Sequence, residues 1–241
     1  MSYLGYVGLM TEHCSKFTKP RVLEIGVDKG QTTLPLLTNL LGLRREFQYV
    51  GVDVRADGCF YEQTIQMKGI RHNFNFAPEH CNTWYIINNS LAAIPEMIDS
   101  SWKFDLILID GDHNYGTVKE ELAHLDALSH SMTLVICDDY RGRHANKDTF
   151  YRDYKSHQNI KIFPEVETSS DGRAGVNQAI NAFAASTKDW TLLDPANAFE
   201  AVMLLPRGIT GIQASNVADG LSFATWDIVL QPRGSDYLLL S

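Results

Sequence analysis

Five short apolar runs, each ending in a polar or acidic group, constrain this chain more than any other feature. "RVLEIG" (21–26), "FQYVGVDV" (47–54), "TWYIINN" (83–89), "FDLILID" (104–110) and "MTLVICDD" (132–139) are rich in Val, Ile and Leu. Between them lie stretches with helical patterning. "QTTLPLLTNLLGL" (31–43) reads as a helix despite Pro35, and "NYGTVKEELAHLDALSH" places Val118, Leu122 and Leu125 on one helical face. Near-continuous apolar strands separated by helices are what a parallel sheet covered on both faces requires.

The expected fold is therefore α/β: a doubly wound, mostly parallel, Rossmann-like sheet with helices on both faces. After residue 139 the pattern loosens. "KDTFYRDYKSHQ" (147–158) reads as helix, "IKIFPEV" (160–166) as strand, and "SSDGRAG" (169–175) as a loop suited to a lid. A helix is expected over "VNQAINAFAAST", two strands around a Pro-Ala-Asn turn in 189–205, and an antiparallel C-terminal hairpin in 223–240. The division expected is one domain over 1–206, with a short N-terminal helix in 1–20. A β-rich extension, 207–241, packs on that domain or on a partner subunit.

With 241 residues and 44% hydrophobic content the chain can fill one sizeable core, and two full domains would be tight. No run approaches the roughly 18 apolar residues of a membrane span, and the N-terminus lacks the basic and apolar regions of a signal peptide. Four cysteines (14, 59, 81, 137) include no CxxC pair, which speaks against a zinc site and fits a reducing, cytoplasmic setting. A net charge of −8 makes nucleic acid an unlikely partner, although "YRGRH" (140–144) is a local basic patch.

In open α/β sheets ligands bind beyond the carboxyl ends of the strands. Here those ends carry Glu24 and Gly26, Asp53, Asn88-Asn89-Ser90, Asp110-Gly111-Asp112-His113 and Asp138-Asp139. Gly26 and Gly30 allow a tight turn close to a ligand, but their spacing is not the dinucleotide GxGxxG. Asp53, 23 residues after Gly30, is placed to take a ribose diol. Together these endings favour an adenosine-type ligand.

"VLEIGVDKGQTT", "YVGVDV", "IINNS" and "FDLILIDGDHNYGTVKEEL" resemble, in this order, the class I S-adenosylmethionine-dependent methyltransferases. The pairing of "IDGDHNY" with "VICDDY" is similar to the metal-dependent O-methyltransferases of the macrocin and aminocoumarin-sugar type. The resemblance covers roughly residues 20–205. It implies that Glu24, Gly26, Gly30, Asp53 and a hydroxyl at Thr32 or Thr33 hold the cofactor, with Asn89 and Ser90 lining the adenine pocket. It implies Mg²⁺ on Asp110, Asp138 and Asp139, Asp110 also bordering the cofactor, and Asp112 or His113 as general base. Those sugar-modifying enzymes carry extra N-terminal or lid segments, whereas about twenty residues precede the first strand here.

Elementary electrostatics supports the cation. If strands four and five are neighbours, their ends lie roughly 5 Å apart. Carboxylates at that spacing repel unless a hard, oxygen-loving cation sits between them. Such an ion orients an acceptor hydroxyl and lowers its pKa, and a nearby His113 or Asp112 takes the proton. The plainer alternative makes Asp112 or Asn114 a helix cap.

The expected activity is Mg²⁺-assisted O-methylation of a small hydroxylated molecule (sugar, phenol or natural-product scaffold), with a possible homodimer. A metal-independent methyltransferase and a non-catalytic cofactor-binding protein are the competing readings. Amino-methylation of DNA is disfavoured, because strand four ends in Asp-Gly-Asp-His and not in Asn/Asp-Pro-Pro-aromatic.

Overall fold

The computed structural model describes residues 4–43, 46–55, 81–155, 163, 166, 172–193, 201–206, 210–212 and 228–231. Five parallel strands occupy the expected runs: β1 Arg21–Ile25, β2 Phe47–Asp53, β3 Cys81–Ile87, β4 Leu106–Ile109 and β5 Leu134–Cys137. Two further strands, β6 Trp190–Leu193 and β7 Val202–Pro206, complete a seven-stranded sheet of order β3-β2-β1-β4-β5-β7-β6. Strand β7 runs antiparallel to both β5 and β6. The turn expected at Pro-Ala-Asn lies outside the described residues. Strands β8 Thr210–Ile212 and β9 Ile228–Gln231 form a separate antiparallel pair. The anticipated C-terminal antiparallel pairing thus joins β9 to an earlier segment, while the second arm, after the Pro-Arg-Gly turn, lies outside the described residues.

Alternation along each strand feeds two apolar layers. Leu23 and Ile25 of β1, with Ile107 and Ile109 of β4, pack on one face with Ala93, Ile94, Val118, Leu122 and Ile180. Val22, Leu106 and Leu108 face the other way, onto Met10, Leu36, Leu37 and Leu40. These come from helices α1 (Leu4–Ser15), α2 (Thr33–Gly42), α3 (Ser90–Asp99), α4 (Tyr115–Ala123) and α6 (Gly175–Ser186), so both faces are covered as parallel sheets demand. Among the described residues no helix is long and apolar enough to cross a membrane.

Two helical expectations change. The pattern over 114–130 divides into α4 and a short α5 (Leu125–Leu128) at His124, yet Val118, Leu122 and Leu125 are all buried as the periodicity required. The stretch 147–158, read as helix, holds only a 3₁₀ turn over Tyr151–Asp153 among its described residues. Competing hydrogen bonds explain this. Thr149 N donates to His113 O, Tyr151 N to Asp112 Oδ1, and Asp148 Oδ1 accepts from Tyr115 N and Gly175 N. The segment is fastened to the end of β4, so its backbone donors are not available to a helical ladder. The strand expected at 160–166 and most of the 169–175 loop lie outside the described residues.

Candidate active site

Register brings the polar strand endings together. Ile25 pairs with Val52 on one side and Ile109 on the other, and Ile109 pairs with Cys137. The next residues, Gly26, Asp53, Asp110 and Asp138, therefore leave the sheet along one edge. There Gly26, Asp53 and Asp110 border a crevice of about 330 Å³, with Asp138 beside it, that runs from Asp28, Lys29 and Arg55 past Asn88, Asn89 and Ser90 to Asp110, Asp112, Arg143, Tyr151, Tyr154 and Phe163.

At the crevice's first end the loop after β1 turns through Gly26 at φ 86°, Asp28 at φ 41° and Gly30 at φ 68°. A side chain at Gly26 would collide with the carbonyl of Asp110, the built Cβ falling 1.9 Å from that oxygen. Only glycine lets the two loops touch here. Asp53 fastens the loop: Oδ2 accepts from Val27 N and Asp28 N at 2.9 and 2.8 Å, and Oδ1 accepts from Arg55 N at 2.8 Å. Burial raises the Asp53 carboxyl while these donors oppose the shift. Asp28, in turn, pairs with Arg55 at 2.8 Å.

Gly26, Asp53, Asn89, Ser90 and Asp110, expected around the cofactor, all border the crevice. Glu24, Gly30 and Thr32 stand back from it. Glu24 is on the opposite face of β1, buried, where Oε2 accepts from Thr33 Oγ1 at 2.7 Å and from Tyr49 OH at 2.5 Å. Burial pushes its carboxyl up to about 7 against those two hydrogen bonds. Its hydroxyl partner is thus Thr33. Thr32 is the buried residue before α2 and makes no side-chain cap. Asn89 caps α3 by accepting from Ala92 N at 2.8 Å.

At the other end Asp110, Asp138 and Asp139 each offer a carboxylate oxygen, the three lying within 4.8 Å of one another. Oxygens about 2.1 Å from a Mg²⁺ ion are at most about 4.2 Å apart, so small side-chain adjustments suffice to hold a hard divalent cation. Asp139 reaches its place through a left-handed backbone, φ 51°. His113, Asp139 and His144 also cluster this closely. However, the two imidazoles are stacked, centroids 4.6 Å apart and planes at 14°, so an ion in the plane of one ring lies off the plane of the other. His144 is engaged besides, its Nε2 accepting from Arg143 Nε at 2.6 Å and its Nδ1 lying 2.7 Å from Thr149 Oγ1.

His113 is buried between His144 and the edge of Tyr151, with Nδ1 3.2 Å from Asp139 Oδ2 and Nε2 3.9 Å from Asp110 Oδ1. Burial, then the neighbouring His144 and Arg143, hold its imidazole down at about 3, so it is neutral near pH 7. Asp112 is more fully used: Oδ2 lies 2.6 Å from Asn114 Nδ2, and Oδ1 accepts from Tyr151 N at 3.0 Å. Asn114, not Asp112, caps α4 by accepting from Thr117 N.

Sequence reasoning missed four residues here. Tyr151 and Tyr154 were hidden in the stretch read as helix. Arg55 carries no motif. Glu121 left a signal, because a charged residue beside Val118 and Leu122 on the apolar face of α4 is anomalous. It is 1% exposed, pushed by burial up to about 8, and its Oε1 lies 2.5 Å from Ser90 Oγ.

Residues 23–140 match a family model described as a methyltransferase domain. No curated protein matches the chain. Among solved structures it is similar to the S-adenosylhomocysteine-bound methyltransferase PaMTH1 of Podospora anserina, at 15% identity and TM-score 0.52, over 86% of this chain and 80% of that one. A putative caffeoyl-CoA O-methyltransferase of Staphylococcus aureus is alike at 15% identity and TM-score 0.52, over 86% and 85%. An O-methyltransferase of Bacillus cereus in complex with S-adenosylhomocysteine aligns at 17% identity and TM-score 0.50, over 83% and 79%. The expected resemblance therefore stands: residues 23–140 match a methyltransferase domain, and the fold is that of solved S-adenosylmethionine-type methyltransferases.

Proposed function

We propose that this enzyme is an O-methyltransferase assisted by a divalent cation, Mg²⁺ or its like, acting on a hydroxyl of a small molecule. The observation that carries the reading is the cluster of Asp110, Asp138 and Asp139 carboxylates at the far end of the crevice. When bound, the cation would polarise an acceptor hydroxyl, and S-adenosylmethionine would supply the methyl group.

The protein's part is positioning and proton handling. Gly26, Asp53, Asn89 and Ser90 hold the cofactor, with Asp110 where the two binding regions meet. Glu24, Gly30 and Thr32 support them from behind the loop. Of the two candidate bases His113 is the better placed. With its Nδ1 proton directed at Asp139, Nε2 keeps a lone pair facing the Asp110 side and can take the proton that the acceptor loses and pass it on, since burial disfavours keeping it. Asp112, whose oxygens face Asn114 and the Tyr151 amide, shapes the wall. Tyr151, Tyr154 and Phe163 make that wall aromatic, which suits the flat ring of a phenol as well as the face of a sugar.

The test is calorimetric titration of metal-stripped protein with S-adenosylhomocysteine and then with Mg²⁺, followed by turnover assays on hydroxylated acceptors. Saturable cofactor binding, a Mg²⁺ site lost in Asp138→Ala, and Mg²⁺-dependent turnover support the reading. Methyl transfer indifferent to chelation would replace it with the metal-independent mechanism.

A further inference from the structure

Behind the cofactor end of the crevice lies a carboxyl that neither the cation cluster nor the proton transfer uses. Glu121 projects from α4 beneath the first turn of α3, with Oε1 2.5 Å from Ser90 Oγ. Its other oxygen, Oε2, is buried without a hydrogen-bond partner. Ser90 borders the crevice. A Cβ placed on Gly111 would stand 3.4 Å from Glu121 Oε1, so the same carboxyl also backs the turn after Asp110.

Hydrogen-bond accounting decides how the proton lies between the two residues. An ionised Glu121 would be a buried charge answered by a single hydroxyl, which is costly. Burial keeps it protonated instead, and the nearby Asp112 carboxylate pushes in the same direction. If Ser90 donated to Oε1, the carboxyl's own O–H on Oε2 would be a buried donor with no acceptor. If Oε1 carries the proton and donates to Ser90 Oγ, Oε2 becomes a carbonyl oxygen. An under-satisfied acceptor is the less costly defect. This second arrangement releases the Ser90 hydroxyl proton for the crevice that Ser90 lines.

We propose that Glu121 is a positioning residue for the cofactor: by donating to Ser90 Oγ it turns the Ser90 hydroxyl proton outward, so that an acceptor nitrogen of the adenine ring meets a donor. The inference rests on the crevice being the S-adenosylmethionine site. It assigns a role to a residue that touches no ligand and acts through its neighbour.

The experiment is titration of the full-length protein and its variants with S-adenosylhomocysteine near neutral pH, with thermal unfolding as the check on folding. Ser90→Ala is expected to weaken binding by about 3- to 10-fold, the worth of one hydrogen bond. Glu121→Leu, which keeps the volume and removes the donor, weakens it equally. Glu121→Gln, whose amide N–H still donates to Ser90 Oγ, binds within about twofold of the unaltered protein. The double variant Ser90→Ala/Glu121→Leu binds no more weakly than Ser90→Ala alone, because both changes remove the same contact. Additive losses, or Glu121→Leu binding as the unaltered protein does while Ser90→Ala is weakened, overturn the proposal. Should Glu121→Leu fail to fold, Glu121→Gln binding as poorly as Ser90→Ala overturns it equally. An unaltered protein that binds no S-adenosylhomocysteine is a different result: it removes the cofactor site itself, and the proposal with it.

Discussion

Strand β4 has an aspartate just before it and another just after it, and the two lead opposite lives. Asp105 is closed in by its own chain. Its Oδ2 accepts from Arg21 N at 2.6 Å, its Oδ1 lies 2.8 Å from His130 Nε2, and its carbonyl lies 3.0 Å from His13 Nε2. Asp110 opens onto the crevice, its side chain 26% exposed, and shares its corner with two more carboxylates. One aspartate ties together strands, loop and helix at the edge away from the crevice. The other stands in a cluster whose like charges invite a cation. Residue type says nothing about which is which; the donors brought within reach decide it.

The largest expected effect separates the two ends by activity. His113→Ala should lower kcat by about 10²- to 10⁴-fold, the usual worth of a positioned proton acceptor, with S-adenosylhomocysteine affinity nearly unchanged. Turnover and calorimetry measure both, and full activity in this variant would leave Asp112 as the base. Next comes a crossed pair read by urea unfolding of metal-free protein. Asp105→Ala should cost about 2–3 kcal/mol through lost hydrogen bonds to a carboxylate while sparing turnover. Asp138→Asn should do the reverse, abolishing the response to Mg²⁺ and leaving stability unchanged or higher as repulsion is relieved. If both variants lose stability alike, the two ends of the strand do not differ in kind. A smaller loss, about 1 kcal/mol, is expected from Asn114→Ala, which removes the cap of α4.

The last expected effect is a pH slope. Glu121 ionises at about 8 in the fold, against an ordinary 4.5. Between those values the native state holds a proton that the unfolded chain has lost, so its contribution to stability is full below about 4.5 and falls away as pH rises toward 8. Glutamine does not titrate. The unfolding midpoint of Glu121→Gln relative to the unaltered protein should therefore climb across this window and level off above it. A constant difference would mean that Glu121 is ionised throughout.

The sheet was legible because parallel strands buried on both faces leave long apolar runs separated by helices. The crevice was legible because polar residues closing such runs have one edge on which to gather, and Gly26, Asp53, Asn89, Ser90, Asp110, Asp112, Asp138 and Asp139 did gather there or beside it. What escaped depended on partners distant in sequence. Glu24 has the right position on β1 but faces Tyr49 and Thr33 across the sheet, which no local pattern reveals. The 147–158 stretch has helical spacing, yet Asp112 and His113 draw its backbone donors away. His144 gave no hint of its stacking on His113, because ring contacts leave no periodicity.

The contact between Gly26 and the Asp110 carbonyl has a consequence for how the enzyme's scope can change. The loops after β1 and β4 meet here main chain to main chain, with no room for a side chain at Gly26. Under the proposed function, the spacing between methyl source and receiving oxygen is thus set by the scaffold at this point. Tyr151, Tyr154 and Phe163 also line the crevice, so under the same proposal exchanging them would change which acceptors fit without touching that main-chain contact.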